Sequence, residues 1–224
     1  MKTVTKVGLI VSLSMIVAGI SLCVIPVAMS GGNMVDFFND KREKRDVSVD
    51  KPYKYVTVNA PMDNVELDFS VNNNESYVEL YDSDRYKFDV YVDDETLYIG
   101  MEEQNMSITG FINGGISPRK ITVHLVGGEY KLVNVNTGIG SLDIKGNMYI
   151  EELHVNTGIG DVDISKDTLL GKVYIKTGIG SITLPKASDA VQINTGIGNV
   201  HTPAIKDKSG SVNIDTGIGS VNVH

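Results

Sequence analysis

Five stretches of the chain alternate apolar and polar residues in one fixed phase around the tetrapeptide Thr-Gly-Ile-Gly. Counting from Thr137, Thr157, Thr177, Thr195 and Thr216, the position four before is Val133, Leu153, Val173, Val191 or Val212. The position two before is Val135, Val155, Ile175, Ile193 or Ile214, and residues such as Asn134, His154 and Gln192 stand between the two. Period-two alternation is the pattern of a half-buried strand. Parity then predicts that Ile139, Ile159, Ile179, Ile197 and Ile218, two after each Thr, also face inward. The next apolar positions, Leu142, Val162, Ile182, Val200 and Val221, come three residues later rather than two. A slip of one residue at the second glycine predicts a corner between two strands, because glycine turns there without steric cost.

The threonines recur at spacings of 20, 20, 18 and 21 residues. Such a period predicts stacked supersecondary units, each too small to bury its apolar edge alone. The expected architecture is all-β: a single-stack β-solenoid of about 20-residue rungs, regular over residues 132–224. Its structural corners are Gly138, Gly140, Gly158, Gly160, Gly178, Gly180, Gly196, Gly198, Gly217 and Gly219. A phosphate-gripping glycine loop would instead lead into a helix N-terminus, whereas here alternation continues on both sides. The segments "YKYVTVNAPMDNVELDF", "SYVELYDSD", "YKFDVYVDDETLYIGMEE" and "KITVHLV" alternate without the glycines and form the less regular start of the same domain. The glycine-rich "MSITGFINGGISPRK" interrupts them as a loop.

Before this domain the pattern changes. Residues 1–6 are a short tail, and Val7–Met29 is a run of 23 residues without charge. That is enough for a helix to cross a bilayer, and longer than the apolar region of a cleaved signal peptide, the rival suggested by Ala28-Met29-Ser30. The only cysteine, Cys23, follows Leu22 and not a small residue, so it reads as a lipid-facing or packing side chain. Residues 30–52 read as a charged tether. Lys2 and Lys6 favour a cytoplasmic N-terminus, but Lys41, Arg42, Lys44 and Arg45 follow the helix and would hold the body inside by the positive-inside rule.

Charge narrows the partners. The chain carries −8, and without Lys2 and Lys6 the remainder after residue 35 carries −10. An acidic body is repelled by nucleic acid, so no nucleic-acid partner is expected. His124, His154, His201 and His224 fit no metal spacing, and no cofactor or catalytic residue is expected. Asp143 and Asp163 should stack on neighbouring rungs, continued by Thr183, His201 and Asn222. Two carboxylates so placed could bind Ca²⁺ or serve a polysaccharide-active enzyme, although a solvated face is the simpler expectation. Asn136, Asn156, Lys176, Asn194 and Asp215 should point outward as a ladder of mainly amide side chains.

The anchor, the tether, "YKYVTVNAPMDNVELDF", "DETLYIG", "KITVHL" and the tandem Thr-x-x-Gly rungs together resemble the putative-adhesin family of bacterial envelope proteins, over Tyr53 to His224. That resemblance implies a β-strand-repeat domain outside the membrane, in some members tied to envelope stress, and it brings no catalytic residues. The expected function is contact: adhesion or stress sensing by a membrane-anchored, non-catalytic solenoid, with a protein or other envelope component as partner. The alternatives are a cytoplasmic membrane-tethered scaffold that polymerises and, less favoured, the polysaccharide-active enzyme. The fifth motif is followed only by a short strand, Ser220 to His224, whose edge could pair with a second copy.

Overall fold

The computed structural model describes residues 42–69, 75–83, 87–101, 119–126, 128–187, 189–203 and 210–223. The expected membrane helix, Val7–Met29, and the glycine-rich loop up to residue 118 lie outside these residues. Among the described residues all regular structure is strand, and no helix is long and apolar enough to cross a membrane.

Each Thr-Gly-Ile-Gly joins a long strand to a short one. The pairs are β8 (Glu129–Ile139) with β9 (Leu142–Gly146), β10 (Tyr149–Ile159) with β11 (Val162–Ile164), and β12 (Leu169–Ile179) with β13 (Ile182–Thr183). They continue as β14 (Ala190–Ile197) with β15 (Val200–Thr202), and β16 (Ser211–Ile218) with β17 (Val221–Val223). The long strands stack in parallel in one sheet and the short ones in another. Thr157 sits opposite both Thr137 and Thr177, and Val162 opposite both Leu142 and Ile182. Each repeat is one rung with a strand in each sheet, as the period requires.

Two further rungs lack the glycine motif. β2 (Tyr55–Ala60) and β3 (Asp63–Phe69) stack directly on β8 and β9. β6 (Thr96–Met101) and β7 (Arg119–His124) stack on the far side of β2 and β3, so spatial order departs from chain order. Beyond them the pairing turns antiparallel. β4 (Ser76–Ser83) joins β7, β1 (Arg42–Val49) joins β4, and β5 (Phe88–Asp93) joins β6. Sheet I is then β16-β14-β12-β10-β8-β2-β6-β5, and sheet II is β1-β4-β7-β3-β9-β11-β13-β15-β17. Arg42–Val49, expected in the tether, is an edge strand of sheet II. Its charges read as a solvated linker, but they sit on the edge that faces water.

The core lies between the sheets. The columns Val133–Leu153–Val173–Val191 and Val135–Val155–Ile175–Ile193 meet Leu142, Val162, Ile182 and Val200 in one buried cluster that extends through Val58, Leu67 and Leu97. Each such side chain contributes roughly 1.5–3 kcal/mol on burial, which a single rung could not collect.

The motif isoleucines do not join that core. Ile139, Ile159, Ile179, Ile197 and Ile218 are between 38% and 68% exposed, which overturns the expectation that they face inward. The threonine is inward, as the same parity requires, but the slip falls at the first Gly-Ile, two residues earlier than alternation suggested.

Candidate interaction surfaces

Why the corner takes this form follows from its hydrogen bonds. The Thr137 hydroxyl donates to the Gly140 carbonyl at 2.9 Å, and the Thr157 hydroxyl reaches the same carbonyl from the next rung at 3.2 Å. Both hydroxyls are buried, which requires a partner. The Gly140 N–H donates to the Ile159 carbonyl at 2.9 Å, and Gly160, Gly180 and Gly198 repeat that bond one rung further along. The isoleucine backbone thus serves the ladder while its side chain turns out.

Both glycines are required by the closeness of the rungs. A Cβ on Gly158 would lie 2.5 Å from the Gly138 carbonyl oxygen. One on Gly160 would overlap the Gly140 carbonyl outright. The first rung has Pro61 and Asp63 where later rungs have the two glycines: those residues' carbonyls face Gly138 and Gly140.

A second ladder runs beside the corner and was missed by alternation alone. Asn64 Oδ1 accepts the Ser141 N–H at 2.8 Å, Ser141 Oγ accepts that of Asp161 at 3.1 Å, and Asp161 Oδ1 accepts that of Ser181 at 2.7 Å. Asn199 Oδ1 accepts the Ser220 N–H at 3.0 Å. The signal was present as the Ser, Asp, Ser, Asn, Ser column after each Gly-Ile-Gly, since these short side chains bond nearby backbone.

Outside the core, sheet II carries charge. Asp143 and Asp163 are register partners, as are Thr183 with His201 and His201 with Asn222, so the expected line exists. It continues the other way through Glu66, Thr122 and Glu79. Lysines occupy the carboxylates. Lys120 bonds Glu66 at 2.8 Å, Lys145 bonds both Glu66 and Asp143, and Lys44 bonds Glu79 at 3.1 Å. Burial pushes the Glu66 carboxyl up, but the two ammonium groups outweigh it and leave it below the usual carboxylate range. The Asp143 and Glu66 carboxylates hold Lys145 above its ordinary value. His124 sits 3.2 Å from Asp68 and stacks on Tyr77. Among the described residues no group of three or more His, Cys, Asp or Glu is arranged to hold a metal.

Sheet I shows the expected ladder of Asn136, Asn156, Lys176, Asn194 and Asp215, and the structure extends it by Asn59. Asn136 Nδ2 donates to Asn59 Oδ1 at 2.9 Å. At the loop side of the rungs a cleft of about 590 Å³ is lined by Tyr53, Ser76, Glu129 and Tyr130. Its two phenols are spent internally, Tyr53 on Ser76 Oγ and Tyr130 on the Val126 carbonyl, both at 2.7 Å. Burial raises both above their ordinary value, so they remain neutral.

The two ends of the stack differ. At one end Arg45 of β1 pairs with Asp82 at 2.6 Å and bonds the Phe88 carbonyl in β5, tying the closing strands of both sheets together. At the other end β16 and β17 have no outer neighbour among the described residues, and Val212, Val221 and Val223 are exposed.

A family model described as Toastrack DUF4097 matches residues 53–224. Among solved structures, the chain is similar to a putative cell adhesion protein from Clostridium sporogenes ATCC 15579, at 17% identity over 83% of this chain and 99% of that one, with a TM-score of 0.48. It is also similar to putative adhesins from Bacteroides fragilis NCTC 9343 (12% identity, 84% and 99% coverage, TM-score 0.42) and Parabacteroides merdae ATCC 43184 (12%, 83% and 97%, TM-score 0.33). No curated protein matches the chain.

Proposed function

The chain belongs to the Toastrack DUF4097 family, and from that premise we propose that it is a membrane-anchored, extracytoplasmic module acting by contact, in adhesion or envelope-stress sensing, without catalysis. The observation that carries this is the run of exposed isoleucines, held one per rung along the corner. Rungs stand about 4.8 Å apart, so the five side chains make a continuous apolar ridge. Exposed contiguous apolar surface marks interaction sites. Further support comes from the uncharged Val7–Met29, long enough for an anchor.

A polysaccharide-active enzyme is disfavoured by geometry. Its two carboxylates must flank a bond from opposite sides, whereas Asp143 and Asp163 are side-by-side partners on one face, and Lys145 bonds the first at 2.8 Å. The address is tested with a C-terminal tag and protease added to intact cells. Loss of the tag is the expected outcome, and a tag that survives until the cells are lysed places the body inside.

The open end favours a second association. Two parallel strand edges with exposed valines lie together at β16 and β17, and we propose that they pair with a second copy of the chain.

A further inference from the structure

We propose that the outward face of sheet I is a binding platform for an uncharged glycan chain lying across the strands. The proposal rests on the domain being a contact module and supplies the ligand class for one of its faces.

The register puts one row of outward side chains straight across the sheet. Tyr91 on β5 stands opposite Tyr98 on β6, followed by Thr57, Asn134, His154 and Tyr174 on successive strands. The amides of Gln192 and Asn213 finish the row. Tyr91 and Tyr98 stack with centroids 5.2 Å apart and planes 23° apart, and His154 meets Tyr174 edge-on at 4.8 Å. The two aromatic pairs are separated by Thr57 and Asn134, so three strand steps, about 14 Å, divide Tyr98 from His154. Alongside that gap runs the amide row of Asn59, Asn136 and Asn156.

These side chains match the groups that a sugar presents. A pyranose ring presents C–H faces that pack on aromatic rings, and hydroxyl edges that exchange hydrogen bonds with amides and threonine. One residue of an extended sugar chain is close to one rung in length, so successive sugars meet equivalent groups. Charge selects the kind of glycan. The aromatic row itself holds no carboxylate, lysine or arginine, its adjoining charges being Glu152, bonded to His154 at 2.6 Å, and Lys176 in the amide row, whereas the corresponding row of sheet II includes Asp46, Glu79, Glu66, Asp143 and Asp163. The acidic body repels polyanions, and sheet I has no row of cations to overcome that.

The chain has no tryptophan, so its ultraviolet emission comes from its ten tyrosines, of which Tyr91, Tyr98 and Tyr174 lie in this row. The full chain in mild detergent is titrated with chitohexaose, cellohexaose, laminarihexaose and maltohexaose, with heparin as the anionic comparison. Saturable binding of at least one neutral hexasaccharide, insensitive to salt, is expected. Tyr98→Ala and Tyr174→Ala should each weaken it about tenfold with unchanged melting temperature, while Asp163→Asn on the opposite sheet leaves it intact. No saturable binding of any of the four, binding that survives the Tyr98→Ala/Tyr174→Ala double variant, or a salt-sensitive preference for heparin overturns the proposal. Those outcomes leave the contact module and its address standing, since protease accessibility tests them separately.

Discussion

At the residue scale, the corner assigns opposite weights to glycine and isoleucine. Gly160→Ala drives a methyl group into the Gly140 carbonyl, where only backbone can give way. It should cost about 3 kcal/mol in chemical denaturation, the upper range for overpacking. Ile179→Asp, which strict alternation would make ruinous, should cost under about 1 kcal/mol because the side chain is at the surface. Equal losses from the two changes would contradict this corner geometry. The glycine positions were legible as corners because two residue types recur at constant phase. The isoleucine direction was not, since parity places Thr137 and Ile139 on the same side and cannot see that the phase breaks at Gly138-Ile139, where the buried Thr137 hydroxyl bonds the Gly140 carbonyl.

At the element scale, the parallel rungs were legible and their antiparallel closure was not. Periodicity reports on neighbours one repeat apart. Arg45 instead finds Asp82 37 residues away, and that pairing leaves no local trace in "REKRDVSV". The insertion of β6 and β7 on the outer side of β2 and β3 was hidden for the same reason. Within sheet II, Glu66 on β3 binds Lys120 on β7 and Lys145 on β9, joining three strands. Its carboxyl is held below the usual range in the folded chain. Its contribution to stability is therefore full above the ordinary carboxylate value, near pH 4.3, and is lost as pH falls through the lowered folded value. Glu66→Gln should remove on the order of 1 kcal/mol near neutral pH, and the difference from the parent should shrink in acid. A constant difference at every pH would show that the lysines contribute nothing through charge.

At the scale of the whole stack, the described residues leave one guarded end and one open end. The guarded end carries Lys44 and Arg45 on an antiparallel edge strand, a common defence against edge pairing. The open end offers two strand edges with no such charge beyond Asp215, and its apolar residues are the most exposed of their columns. Pairing guarded to open ends would produce filaments, but the charges of β1 oppose it. Pairing open end to open end satisfies both edges at once and closes as a two-fold dimer. Sedimentation of the full chain in detergent should therefore show a concentration-dependent dimer and no larger species. Fusing a charged, proline-containing segment after His224 should abolish the dimer, because it covers the edge and proline cannot extend the ladder. The melting temperature should stay the same or rise, since the segment shields Val221 and Val223 from water. A chain that is monomeric at high concentration, or that dimerises equally well with the segment attached, would show that the open edge is not the contact.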